Sequence, residues 1–449
     1  MRKLFGTDGI RGIAGQHPLD SRTVYAVGLA LAHQVKAGNS HPRFVLGMDT
    51  RESSTWIAAA LSAGITDGGA KVESAGVVTT PAVAFLARKH GFDAGVVISA
   101  SHNPWQDNGI KVFGGNGYKL PDETELRIEE EIFRRLENAA APDLATLNAP
   151  AVNSKFRAEY EDFLRAAVPS LNLDGLRLVL DCANGAASAI APELFSQIGG
   201  KIHLTHIVPD GRNINADCGA LHPEVVAKET AALGADIGVT FDGDADRALF
   251  ADSTGKVVNG DAVLLLAARD LHTRNLLNGG LVVATTMSNM GLEAALRRDG
   301  IQMLRAPVGD KYVLERMQKE DASLGGEQSG HILFPHLATT GDGLLTALVV
   351  LDIVRRSGKS LHELIADLKV FPQVIVNVRV KEKKPLDEIA TVTSTIRDAE
   401  TALAENGRVV VRYSGTEALA RVMIEAESEI VMRHHADRIA GAIREAIGV

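Results

Sequence analysis

Short apolar runs that break off at once into polar loops recur along this chain, and they constrain its fold more than any other feature. Runs at 44–48, 96–98, 178–180, 237–240, 281–284, 374–378 and 409–411 are rich in Val, Ile and Leu and too short for stable helices. Ala- and Leu-rich helical stretches lie between several of them, as in VYAVGLALAHQVKAG at 24–38. This alternation predicts α/β units built on a largely parallel sheet.

At 449 residues the chain exceeds one ordinary domain. Its texture shifts at 137–153, at 251–262 and near Phe371. These shifts divide it into segments 1–153, 154–255, 256–370 and 371–449, the last a small α+β domain. The Gly/Asp-rich stretch 251–262 reads as a hairpin.

The formal net charge of -9 argues against a general binder of nucleic acid or of anionic membranes. The longest apolar run, GLLTALVVLDIVRR, is broken by Asp352 and is too short to span a bilayer. The two cysteines, Cys182 and Cys218, form no disulfide framework and no cysteine zinc motif. The first residues, MRKLFGTDGIRGIAG, hold no apolar targeting segment. A cytoplasmic protein is expected.

Four polar loops each follow an apolar run: VVISASHNP, IGVTFDGDADR, LGGEQSGH and VVVRYSGTE. Ligands of α/β sheets gather at the carboxyl ends of strands, so the repetition predicts one shared cleft. In the second loop Asp242, Asp244 and Asp246 alternate, and three hard oxygen donors suit Mg²⁺ or Ca²⁺. A calcium-loop reading fails, because Arg247 stands where glycine is required and Ser253 where glutamate is. A solvated acidic turn fits poorly, since three carboxylates directly after an apolar strand repel one another without a cation.

In the first loop Ser101 is a candidate nucleophile or phosphate carrier, with Lys111 as a cation or proton carrier. His102 and Asn103 can brace it. Taken alone, it could be an ordinary Ser/Asn/Pro turn. The third loop offers Glu327, Ser329 and His331 for sugar hydroxyls and proton movement, although a lone histidine is more often packed than catalytic. The fourth offers Arg412, Ser414, Gly415 and Thr416 as an anion cradle. Near the start, FGTDGIRG presents Arg11 to an anion or forms a tight turn.

SASHNP, DGDADR, GEQSGH and RYSGTE, in that order, resemble the motifs of the α-D-phosphohexomutases, and the likeness runs from Phe5 to about Arg421. The resemblance implies α/β architecture in four domains around a heart-shaped cleft: three mixed-sheet α/β domains and the small C-terminal one. Within the family, FGTDGIRG and ISASHNPWQDNGIKVF look most like the branch that interconverts the 6- and 1-phosphates of glucosamine. A phosphoglucomutase or phosphomannomutase of the same family is the near alternative. A metal-dependent serine phosphatase and a sugar-phosphate-binding protein without catalysis are the remote ones.

The resemblance further implies phosphoserine at Ser101 and one Mg²⁺ held by Asp242, Asp244, Asp246 and the Ser101 phosphate. A sugar 1,6-bisphosphate would act as activator. Glu327 and Ser329 would contact the sugar. Arg412, Ser414, Gly415, Thr416 and Arg421 would hold the phosphate that is not reacting, and Arg247, Lys111 and Arg11 would supply positive charge. Lys111 or His331 would move the proton. Tyr413 and Ala418 depart from the family pattern, which has prolines there. The expected partner is a small sugar phosphate, with no nucleic acid and no membrane, on a monomer or homodimer.

Overall fold

The computed structural model describes residues 4–6, 8–36, 41–138, 140–414 and 418–449. They form two compact units: Met1–Thr286 with Leu304–Ile365, and Met287–Met303 with Ala366–Val449.

In the first unit, six strands form one sheet: β1 (Phe5–Gly6), β2 (Gly9–Ile13), β3 (Arg43–Met48), β4 (Lys71–Val77), β5 (Ala94–Ile98) and β6 (Asp107–Gly114), in the order β1-β2-β6-β5-β3-β4. β3 pairs in parallel with β4 and β5, whereas β5–β6, β6–β2 and β2–β1 are antiparallel. The sheet is therefore mixed rather than largely parallel. The cause is the connection from β5 to β6: SASHNPWQ is too short for a crossover helix, so the chain turns back on itself.

β5 lies inside this sheet and is buried along its whole length, as its uninterrupted apolar run requires. Helices α1 (Ser21–Lys36), α2 (Glu52–Asp67) and α3 (Thr80–His90) add Val27, Leu31, Ile57, Leu61 and Val83 to the buried interior. Burying an aliphatic side chain of this size stabilises by about 1.5–3 kcal/mol. Val96, Val97 and Ile98 thus anchor the loop that begins at Ser99.

A second sheet contains β7 (Arg177–Asp181), β8 (Lys201–Thr205), β9 (Ile237–Phe241), β10 (Ala248–Asp252) and β11 (Val257–Val258), in the order β11-β10-β9-β7-β8. β10 and β11 are the hairpin expected within 251–262. In a third sheet, β12 (Leu281–Thr285) pairs in parallel with β13 (Gly325–Gly326), which pairs antiparallel with β14 (Ile332–Leu333).

The second unit holds an antiparallel sheet of β15 (Gln373–Arg379), β16 (Gly407–Tyr413) and β17 (Leu419–Ala426), with β17 central. Val378, Val422 and Ile424 pack with Val392, Ile439 and Ile443 of helices Ala390–Leu403 and Glu429–Ile447. The segment Met287–Met303 belongs to this unit. Its Met290 amide donates to Glu425 Oε1 at 2.9 Å, and Arg297 pairs with Glu405 at 2.8 Å. Among the described residues no helix is long and apolar enough to cross a membrane.

Candidate active site

Three of the four polar loops lie in the first unit and meet. The Ser99–Asn103 turn leaves the end of β5, the aspartate loop leaves the end of β9, and Glu327–His331 leaves the end of β13. Ser101 is buried and left-handed (φ 53°), a backbone region uncommon outside glycine. Its Oγ lies 2.6 Å from Asp242 Oδ2 and 3.3 Å from His102 Nδ1. Ser99 Oγ accepts from the Ser101 amide at 2.9 Å. Asn103 Nδ2 donates to Asp107 at 2.9 Å, so it braces the turn as its sequence position suggests.

Asp242, Asp244 and Asp246 offer carboxylate oxygens within 4.8 Å of one another, all buried. Among the described residues Asp244 Oδ1 and Asp246 Oδ1 have no hydrogen-bond partner, although His331 Nδ1 and Arg247 Nε lie 3.6 and 3.8 Å from Asp246 Oδ1. Burial, joined by repulsion from Asp246 and Asp244, raises the Asp242 carboxyl well above the usual carboxylate range. Three converging carboxylates, two of which hold an oxygen without a hydrogen bond, fit a divalent cation such as Mg²⁺.

Lys111, on β6, is only 2% exposed. Its Nζ lies 2.8 Å from Asp244, 2.9 Å from Asp8 and 3.4 Å from Asp246. Burial opposes its charge, but the attraction of Asp244, Asp8 and Asp246 overrides this and holds its pKa well above the ordinary value. Asp246 follows the mirror logic. Burial would raise it, while Lys111 and His331 hold it well below the usual range.

His331 stands between Asp246, at 3.6 Å from Nδ1, and Asp310, at 3.7 Å from Nε2. Burial would lower its pKa, but Asp246 and Asp310 push it up to about 9. Its ring lies against Gly341, where a Cβ would come within 2.3 Å of Nε2. That position has no room for a side chain while His331 keeps this place. His102 has the opposite environment: burial, together with Arg247 and Arg11, lowers it to about 4.

A cavity of about 380 Å³ opens beside these groups. Arg11, Lys119 and Arg247 bring positive charge to its wall, and Glu327, Asp310 and His331 bring hydrogen-bonding groups. Arg11 pairs with Asp8 at 2.5 Å. The Arg247 amide donates to Asp242 Oδ1 at 3.2 Å, and its Nε lies 3.8 Å from Asp246 Oδ1. Glu327 Oε1 accepts from the Gly309 amide at 3.0 Å, and Ser329 Oγ lies 3.5 Å from Glu327 Oε2. The wall thus mixes cations with carboxylates, Asp8 and Asp246 among them, so it offers both positive charge and hydrogen-bond acceptors.

Reading the sequence for motifs missed Lys119 and Asp310. Lys119 Nζ lies 2.6 Å from both Asp8 and Asp310, which ties β6 and its exit to helix Asp310–Glu320. Neither residue lies in a recognisable motif. Asp8 lies within FGTDGIRG, and its charge was the available signal.

The fourth loop belongs to the second unit. Arg412 on β16 and Arg421 on β17 are direct register partners, so their side chains share one face of the sheet. The Ser414 carbonyl accepts from Lys383 Nζ at 2.7 Å. Tyr413, in place of the proline, donates its hydroxyl to the Lys384 carbonyl at 2.5 Å, a tether that proline lacks. Gly415 and Thr416 lie outside the described residues.

A further grouping, Asp181, His206 and Cys218, also has metal-ligand atoms close together. Asp181 already accepts from the Ala183 and Gly219 amides, Thr240 Oγ1 and His206 Nδ1 at 2.8–3.1 Å. Its oxygens are used in fixing the loops after β7 and before β9.

Four family profiles match the chain in succession. They are phosphoglucomutase/phosphomannomutase alpha/beta/alpha domain I over residues 2–139, domain II over 158–255, domain III over 259–371 and the C-terminal domain over 375–442. A phosphoglucosamine mutase of Koribacter versatilis is 60% identical, covering 100% of this chain and 98% of that protein. One of Solibacter usitatus is 52% identical, covering 100% and 99%. Among solved structures, a phosphoglucomutase/phosphomannomutase family protein from Burkholderia thailandensis superposes with a TM-score of 0.76 at 23% identity, covering 99% of each chain. The Aspergillus fumigatus N-acetylphosphoglucosamine mutase, in complex with GlcNAc-6P and magnesium, superposes with a TM-score of 0.64 at 21% identity, covering 100% of this chain and 96% of that one.

Proposed function

The chain belongs to the phosphoglucomutase/phosphomannomutase family, and we propose that it interconverts glucosamine 6-phosphate and glucosamine 1-phosphate through a phosphorylated Ser101. The observation that carries this reading is the contact of Ser101 Oγ with Asp242 at 2.6 Å, beside two further carboxylates and a cavity walled by Arg11, Lys119 and Arg247. Binding alone needs neither a buried serine nor a carboxylate triplet. The choice of an amino sugar within the family is supported by the activity named for the full-length relatives.

In the first half-reaction the phosphoryl group leaves Ser101 Oγ and bonds to the free sugar hydroxyl, giving a 1,6-bisphosphate. In the second, the other phosphoryl group leaves the sugar and bonds to Ser101 Oγ. Each transfer moves one proton from the attacking hydroxyl and returns one to the oxygen that loses the phosphoryl group. Lys111 and His331 both hold protons at neutral pH in this arrangement, which suits them to the returning step.

Asp242, Asp244 and Asp246, with the Ser101 phosphate, would hold Mg²⁺, which when bound neutralises phosphoryl charge. Arg11, Lys119 and Arg247 add fixed positive charge at the cavity wall, where preorganised cations stabilise a phosphoryl transition state. Glu327 and Ser329 would meet the sugar hydroxyls. Arg412 and Arg421 would grip the distal phosphate, aided by Ser414, Gly415 and Thr416.

The test has two parts. Intact-mass measurement of the purified protein should show one phosphate, lost in Ser101→Ala. Turnover of glucosamine, glucose and mannose 6-phosphates, measured side by side, should favour glucosamine. Steady release of inorganic phosphate without isomerisation would point to a phosphatase instead.

A further inference from the structure

The backbone carbonyls of Ser101 and Asn103 are each gripped twice. Arg51 Nη2 donates to Ser101 O at 3.1 Å and to Asn103 O at 2.6 Å. Asn215 Nδ2 donates to the same two oxygens, at 2.9 and 3.1 Å. Arg51 comes from the start of α2 beside the first sheet. Its side chain is fully buried and ion-paired with Asp49, which also accepts from Ser54 Oγ at 3.0 Å. Asn215 comes from the loop that Asp181 organises beside the second sheet. The Asn215 amide donates to the Ala183 carbonyl at 2.9 Å, and the Ala183 amide donates to Asp181 at 2.9 Å.

The backbone around this joint is unusual. Ser101, Ala183, Asn184, Asn215, Asp217 and Ala245 all have positive φ without being glycine. Such residues persist only where surrounding contacts over-determine them, and they gather at functional sites. The aspartate loop meets the same joint. A Cβ on Gly243 would lie 2.5 Å from Ser101 O and 2.9 Å from Asn215 Nδ2. The glycine of Asp-Gly-Asp therefore lets the carrier turn, the Asn215 amide and the aspartate loop come together.

We infer that Asn215 is a positioning residue for the phosphoryl carrier, its side-chain amide locking the Ser101–Asn103 carbonyls so that Ser101 Oγ faces the aspartate triplet. This rests on the reading of Ser101 as the carrier. The Asn215 side-chain amide donates to backbone carbonyls of the carrier turn, so its loss should disturb the direction of Ser101 Oγ more than the binding of sugar.

Wild type, Ser101→Ala, Asn215→Ala and Asn215→Asp are compared for kcat, KM, melting temperature and phosphate retained on the protein. The aspartate variant keeps the shape of Asn215 and loses the two donated hydrogen bonds. A misplacement of about 1 Å at a reacting group can cost about 100-fold, so kcat should fall roughly 10- to 100-fold in both Asn215 variants with KM within about twofold of wild type. A folded Asn215 variant with kcat within about twofold of wild type would overturn the inference. So would an impaired Asn215→Ala beside a fully active Asn215→Asp, which would assign packing rather than donation. Failure of both to fold would assign Asn215 to folding and also overturn it. Turnover retained in Ser101→Ala would remove the carrier reading, and this inference with it, whatever the Asn215 variants do.

Discussion

Ser101 Oγ lies 2.6 Å from Asp242 Oδ2, although 141 positions separate the two in the chain. A hydroxyl facing a carboxylate triplet is where a phosphoryl group can sit beside its metal. The first expected outcome concerns this pair. Ser101→Ala should fold as wild type and lose mutase turnover by several orders of magnitude, because the oxygen that carries the phosphoryl group is removed. Near-normal turnover in a steady-state assay would refute the carrier role.

The aspartate triplet yields the second. Mg²⁺ should raise the melting temperature of wild type, because it binds the folded triplet and not the unfolded chain. Asp244→Asn removes one charge while nearly keeping shape, so both the metal-induced stabilisation and turnover should fall sharply. Thermal melts with and without Mg²⁺ give a readout independent of activity. Full activity after chelation would count against a metal at this site.

Sugar selection is the third. Glu327 Oε1 takes the Gly309 amide at 3.0 Å and lines the cavity. Glu327→Gln should weaken use of glucosamine phosphate more than glucose phosphate, since only the former carries an amine. Losing a polar group buried against its partner costs about 1–3 kcal/mol, or roughly 5- to 150-fold in kcat/KM. Equal losses on both sugars would leave Glu327 an orienting role alone.

The fourth concerns pH. In metal-free protein, the pKa of His331 is pushed from its ordinary 6.5 to about 9. A raised folded-state value means that the histidine's charge stabilises the fold fully below pH 6.5. That contribution is lost as pH rises through about 9. The stability gap between wild type and His331→Gln should therefore be widest near neutral or acidic pH and narrow toward alkaline pH. Denaturant melts across this range check it, and a gap that widens with pH would contradict it.

Arg412 gives the fifth. It faces the same side of the sheet as Arg421, and two guanidiniums suit one phosphate. Arg412→Lys keeps charge and loses the bidentate fork. Forward and reverse turnover should fall alike, with greater dependence on added bisphosphate, since the distal phosphate is common to both directions. A loss in one direction only, with an unchanged bisphosphate requirement, would speak against a shared handle.

The sequence by itself determined seven of the strands and the polar residues gathered beyond several of them, whereas strands such as Lys71–Val77, Asp107–Gly114 and Leu419–Ala426 were announced by no such run. Val96–Val97–Ile98 is apolar because it is buried on every side, and Ser101 follows at once because the chain must leave the sheet there. Asp242, Asp244 and Asp246 were legible because like charges packed after an apolar strand require a counter-charge. Local pattern suffices for such features, since each depends on neighbours a few residues away. The sheet expected to be largely parallel is mixed, because alternation of strand and helix does not reveal a connection too short for a crossover, such as that from β5 to β6. Only the tertiary structure decided which distant charges meet. Lys119 joins Asp8 and Asp310, which are 111 and 191 positions away, and Asn215 reaches the Ser101 carbonyl from 114 positions away. Lys119, Asp310 and Asn215 have no motif, because their role comes from packing that brings distant segments together. Burial lowers both His102 and His331, and their shifts are opposite because Arg247 and Arg11 add to it at one while Asp246 and Asp310 override it at the other.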